Sequence, residues 1–170
     1  MNGRDVEIKA RVSDADRIRS VAEEISDSEA VLIEQTDTFF NCVAGRLKLR
    51  KFDACHGELI HYNRVDAREP TGCDYRIVET SEPDKLRDLL GEALGVRGEV
   101  RKRRTLYMHG QTRIHLDNVE GLGDFLELEV VLSDEQSIAE GTAIAASIME
   151  TLGISDEDLL DTAYIDMIEY

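Results

Sequence analysis

Asp5-Val6-Glu7-Ile8-Lys9, matched near the far end by Glu127-Leu128-Glu129, alternates charged and aliphatic side chains with the two-residue period of a β-strand. As a strand, the first stretch puts Asp5, Glu7 and Lys9 on one face and Val6 and Ile8 on the other. Arg46, Lys48 and Arg50 alternate with Leu47 and Leu49 in the same way, and Arg113, His115 and Asp117 with Ile114 and Leu116. Any half-exposed sheet alternates like this. Four strands that carry both acidic and basic rows point further. They imply a sheet whose apolar face meets helices and whose charged face lines a shared cavity.

The punctuation between these strands sets the architecture. Residues 4–12 read as a strand, followed by a helix opening at Ser13, with Asp16 three residues on and an apolar stripe of Ile18, Val21, Ala22 and Ile25. Strands follow at about 30–40, 45–52 and 58–66, with turns at Gly45 and across 54–57. A strand at 73–80 leads to Ser81-Glu82-Pro83, which starts a second helix that Gly95 stops. Residues 98–109 and 111–119 form a hairpin turning at Gly110, and 124–132 follows the Gly121-Leu122-Gly123 turn. Ser133 and Gln136 read as a capping box for a long helix to Leu152, ended by Gly153. A short acidic helix near 156–161 and a segment with Tyr164, Ile165 and Ile168 complete the pattern. About eight strands with short connections predict a closed antiparallel barrel with flanking α-helices. The fold class is α+β, and residues 1–170 are expected to form one domain.

Composition narrows the function. The 42% hydrophobic fraction supplies a core, and no apolar run approaches the roughly 18 residues that span a bilayer. Without a signal-peptide pattern, and with Cys42, Cys55 and Cys73 odd in number and lacking metal-type spacing, the chain reads as a reduced cytoplasmic protein. The net charge of −16 is concentrated beyond Arg113: the last 57 residues hold 15 Asp and Glu and no Lys or Arg. Such a chain is a poor nucleic-acid or membrane binder. The preceding part is near neutral, with basic clusters at 46–51 and 101–104, and can hold a small polyanion locally.

Asp-x-Glu-x-Lys at 5–9 resembles the N-terminal Glu-x-Glu-x-Lys signature of CYTH proteins, the triphosphate tunnel metalloenzymes that include class IV adenylyl cyclases and thiamine triphosphatases. The resemblance extends to Gln35-x-Asp37-x-Phe39-Phe40, Arg46-Leu-Lys48-Leu-Arg50, Lys102-Arg103-Arg104 and the block from Leu116 to Glu129. It implies an eight-stranded tunnel binding a triphosphate-containing small molecule with Mg²⁺ or Mn²⁺. The implied substrate-binding residues are Lys9, Lys48, Arg50, Arg64, Lys102, Arg104 and Arg113, since Arg grips phosphate oxygens bidentately and Lys acts as a point charge. Hard cations prefer carboxylate oxygen, so Asp5, Glu7, Glu79, Asp117, Glu127 and Glu129 are the candidate metal ligands. Glu7, Lys9, Glu127 and Glu129 form the implied catalytic set.

Two departures stand out. Asp5 replaces the first glutamate, and Asn63 stands where many members place a lysine, with Arg64 on the opposite strand face. Tyr62 and Tyr164 read as packing residues with bonded hydroxyls. His115 reads as a satisfied histidine on the inward face, and Gly121 with Gly123 as a turn. Three activities are compatible: hydrolysis of an inorganic, nucleoside or other organic triphosphate; cyclisation of ATP to cyclic AMP and pyrophosphate; or non-catalytic binding of polyphosphate or an organic phosphate. A homodimer through a barrel edge or the acidic C-terminal helices is a further expectation.

Overall fold

The computed structural model describes residues 2–64 and 71–168. Its strands are β1 (Asn2–Arg11), β2 (Val31–Phe40), β3 (Arg46–Lys51), β4 (Gly57–Arg64), β5 (Thr71–Thr80), β6 (Val96–His109), β7 (Thr112–Val119) and β8 (Gly123–Val131). They close into an antiparallel barrel in the order β1-β5-β4-β3-β2-β6-β7-β8. The helices are α1 (Ala15–Ile25), α2 (Pro83–Leu94), α3 (Ile138–Leu152) and a single turn, α4 (Tyr164–Met167). Closure satisfies the backbone groups that an open sheet leaves at its edges. The expected barrel-edge route to a dimer is therefore absent among the described strands. The last two residues of the predicted 58–66 strand lie outside the described residues.

Strand parity sorts the side chains as the alternation predicts. Val6, Ile8 and Ala10 of β1, Ile114 and Leu116 of β7, and Leu126, Leu128 and Val130 of β8 point outward. They pack under Ile18 and Ala22 of α1 and Ala145, Ile148, Met149 and Leu152 of α3. Gly141 lets α3 approach the barrel closely, because an added Cβ would lie 2.7 Å from both Val6 and Leu132.

Two helix starts differ from the predicted ones. The α1 cap is Asp14, not Ser13: its carboxylate accepts the Arg17 N–H at 3.0 Å and adds a negative charge at the positive helix end. The capping box of α3 is Ser137 with Glu140, whose carboxylate accepts the Ser137 N–H at 2.8 Å. Ser133 and Gln136 form the preceding turn instead, with the Ser133 N–H donating to the Gln136 side chain at 3.0 Å. The two candidate boxes follow one another directly, at 133–136 and 137–140, and the charged Glu140 answers the helix dipole better than neutral Gln136. Among the described residues, no helix is long and apolar enough to cross a membrane.

Candidate active site

The inward parity of all eight strands converges on one cavity of about 130 Å³ inside the barrel, and six of them bring charged groups to it. Asp5, Glu7 and Lys9 come from β1, Asp37 from β2, Arg46, Lys48 and Arg50 from β3, Lys102 from β6, Arg113 from β7, and Glu127 and Glu129 from β8. Six of these groups are cationic and five are carboxylates, a balance of one positive charge.

Asp37 organises the basic wall. Lys48 Nζ donates to it at 2.8 Å and Arg50 Nε at 3.2 Å, while Gln35 Nε2 donates to the same Oδ1 at 3.0 Å. Burial alone would raise the Asp37 pKa; Lys48, Arg50 and Lys102 outweigh it and hold the carboxyl well below its usual range. Asp37 thus fixes two cations side by side facing the lumen.

A second node lies beneath the opposite wall. Asp117 is fully buried and accepts from Lys102 Nζ at 2.7 Å and from Arg104 Nε and Nη2 at 2.6 and 2.7 Å. Arg104 also bonds Glu127, and Lys102 and Lys9 stand 3.7 and 3.5 Å from the same carboxylate. Burial opposes ionisation of Asp117, yet Arg104 and Lys102 lower its pKa from the usual 3.8 to about 2. His115 is 4% exposed; burial and then the nearby Arg104 push its pKa from 6.5 down to about 3, against the attraction of Glu129.

These shifts give the metal-free protein a two-stage acid response. Each group has a folded pKa below its unfolded one, so its stabilisation is complete above the unfolded value and lost as pH falls toward the folded value. His115 begins the loss below pH 6.5, at about 1.4 kcal/mol per pH unit, and Asp117 adds to it below 3.8. Urea midpoints measured from pH 7 to pH 3 should fall with this steepening. His115→Gln should remove the upper limb alone, and an unaltered upper limb would refute the assignment.

The acidic side of the cavity carries two donor groups. Glu7 of β1 lies directly opposite Glu129 of β8 in register, and Asp5 directly opposite Cys73 of β5. Donor atoms of Asp5, Glu7 and Cys73 fall within 4.8 Å of one another, as do those of His115, Glu127 and Glu129. Like charges directly opposite across a strand pair are costly, which makes a cation the natural complement of this edge. Buried carboxylates with a neutral imidazole beside them are a donor set that fits a divalent metal.

The CYTH domain profile matches residues 3–164, nearly the whole chain. The chain belongs to the CYTH family. The chain is 26% identical to adenylate cyclase CyaB of Aeromonas hydrophila over 174 residues, covering 97% of this chain and 88% of that one. The PH1012 structure from Pyrococcus horikoshii superposes with a TM-score of 0.82 at 26% identity, covering 97% and 99% of the two chains. At 16% identity and a TM-score of 0.62, covering 95% and 91% of the two chains, the fold is shared by HpAC1 from Hippeastrum, a protein with a dominant triphosphatase activity.

Against this CYTH barrel the expected site residues divide clearly. Asp5, Glu7, Lys9, Lys48, Arg50, Lys102, Arg113, Glu127 and Glu129 all line the cavity. Arg104 and Asp117 do not reach its surface, because each is consumed by the buried ion network. Glu79 has lumen parity but is exposed near the end of β5, six residues beyond Cys73, or roughly 20 Å along a strand. It lines a separate surface depression with His56 and Glu58. On β4, Ile60 and Tyr62 face the lumen, so Asn63 is exposed on the outer face. Arg64 holds the register position opposite Cys73, and its side chain lies outside the described residues.

The CYTH cavity also recruits residues outside the expected site set. Arg46 lines it, Asp37 fixes its basic wall, and Cys73 and His115 stand beside its carboxylates. The C-terminal segment closes one end. Leu160 N–H bonds the Lys9 carbonyl at 2.8 Å, and Ala163, Tyr164 and Ile165 pack on Phe39, Val100 and Phe125. Lys9 Nζ sits 3.9 Å from the Tyr164 ring centroid and donates to the Thr162 carbonyl at 3.3 Å. The Tyr164 hydroxyl donates to Asp117 at 3.3 Å, which accounts for this buried phenol.

Proposed function

We propose that this protein binds the triphosphate group of a small molecule inside the barrel and hydrolyses its terminal phosphoanhydride with a divalent metal. The observation that carries the reading is the division of one enclosed cavity into a cation wall and an opposed carboxylate edge. A triphosphate brings roughly four negative charges. Among the described residues the lining has one net positive charge, which leaves most of that charge unbalanced, and the Glu7–Glu129 edge is where a metal would supply the remainder. When bound, Mg²⁺ or Mn²⁺ would neutralise phosphate oxygens and acidify a water. Glu7, Glu127 and Glu129 would hold it, with Asp5 adjoining.

The protein's own groups account for the rest. Lys48 and Arg50, held by Asp37, offer a fixed pair of donors to phosphate oxygens, and Arg46 and Arg113 extend the grip. Donors held rigidly before the substrate arrives need no reorganisation as charge shifts to the leaving phosphate. Lys9 lies between Glu127 and the Tyr164 ring, where it sets the charge at the closed end.

The likeness to adenylate cyclase CyaB supports a second reading, in which the ribose 3′-hydroxyl of ATP attacks its α-phosphate. Phosphorus NMR after incubation with ATP or inorganic triphosphate, plus Mg²⁺ or Mn²⁺, separates these. Orthophosphate is the expected product; pyrophosphate with cyclic AMP would replace the hydrolase by the cyclase. Binding without products would leave a polyphosphate-binding protein and overturn both.

A further inference from the structure

His115 has no role in the reading above, and its surroundings give it one. Its ring is buried in the lumen wall, and Nδ1 makes no hydrogen bond among the described residues. Glu129 Oε1 is 3.5 Å away, beyond a normal N–H···O distance. Arg113 occupies the other oxygen of Glu129, with Nη1 3.4 Å from Oε2, so Oε1 remains on the histidine side. Glu127 supplies a third donor within 4.8 Å. Lys102 and Arg104 draw on its Oε2, whereas Oε1 has Lys9 at 3.5 Å. A buried nitrogen left without a hydrogen bond costs stability unless something else takes its lone pair. The separation suits two ligands that each contact one ion at about 2.1 Å.

We propose that His115 Nδ1, with Glu127 and Glu129, ligates a transition-series divalent cation, making this a mixed nitrogen–oxygen site that favours Mn²⁺ or Co²⁺ over Mg²⁺. The inference rests on the metal-dependent reading of the lumen and adds a residue and an ion preference to it. Mg²⁺ takes oxygen ligands almost exclusively, whereas imidazole strengthens binding along the series from Mn²⁺ to Cu²⁺.

The test uses the intact protein loaded with Mn²⁺ or Co²⁺ alone. Pulsed electron paramagnetic resonance of the wild-type Mn²⁺ complex should show coupling to a ¹⁴N nucleus, which requires no variant to fold. His115→Gln should weaken Co²⁺ binding by about 100-fold and shift its visible absorption, while Mg²⁺ affinity changes by less than about threefold. Mn²⁺ binding without nitrogen coupling, with Co²⁺ affinity unchanged in His115→Gln, would overturn the histidine ligand and leave the carboxylate site standing. Failure of the wild type to bind any of the three ions would overturn both.

Discussion

Asp117→Ala should lower the unfolding free energy by about 3–5 kcal/mol, the cost of removing one partner from a buried ion network. Asp117 is fully buried, and its two oxygens accept three hydrogen bonds from the charged groups of Lys102 and Arg104. Without it, Glu127 is left to face Lys102, Arg104 and Lys9. Cations that cannot reach water then carry an uncompensated desolvation penalty. For a chain of this size each kcal/mol moves the melting temperature by about 2–4 °C, so a loss of roughly 10 °C or more is expected. Adding Lys102→Met should recover part of the loss, because it removes one of the stranded charges. A loss below 1 kcal/mol in urea titrations would mean that the network is wetted and behaves like a surface pair. A polyanion such as inorganic triphosphate should stabilise Asp117→Ala more than the wild type.

Strand parity was legible because a two-residue period needs no knowledge of neighbours. Asp5, Glu7 and Lys9 face the lumen for the reason that Val6 and Ile8 face α3 and α1. What parity cannot convey is distance along the barrel or ownership of a charge. Glu79 shares the inward parity of Cys73 and Tyr75, yet sits too far along β5 to join them. Asp117 also has the right parity, but the register of β6 on β7 sets it opposite Arg104, which takes both its oxygens. The sequence reads His115 as a satisfied inward-facing histidine, because a lone histidine on a strand has no spacing signal, whereas its Nδ1 makes no hydrogen bond among the described residues. Its meaning comes from β8, where the register pairs it with Glu127 and leaves Glu129 diagonal to it. Adjacent Ser-x-x-Gln and Ser-x-x-Glu patterns shifted the predicted start of α3 for a similar reason, since the strength of a cap depends on charge as well as spacing.

Glu129→Gln should abolish metal-dependent turnover while leaving the fold nearly unchanged. Removing a preorganised charge from a reacting site commonly costs about 10²–10³ in rate, and loss of a metal ligand should reach at least that. The stability effect should be below about 1 kcal/mol, because the Arg113 partner at 3.4 Å is one-third exposed and can turn to water. Glu127→Gln is the less clean experiment. That carboxylate answers Lys9, Lys102 and Arg104 together, and its pKa is held well below the usual range by these cations despite burial. Neutralising it should therefore lower stability as well as turnover, and the two losses would be confounded. The pair of variants accordingly separates two kinds of lumen carboxylate. Glu127 balances buried cations as well as adjoining the metal edge; Glu129 faces Glu7 across β1 and β8 and has chiefly a cation to gain. Orthophosphate release and metal titration on Glu129→Gln, alongside its melting curve, check the division. Turnover at the wild-type rate would remove Glu129 from the metal edge. A large fall in stability would show that it belongs with Glu127 and Asp117 in holding the fold.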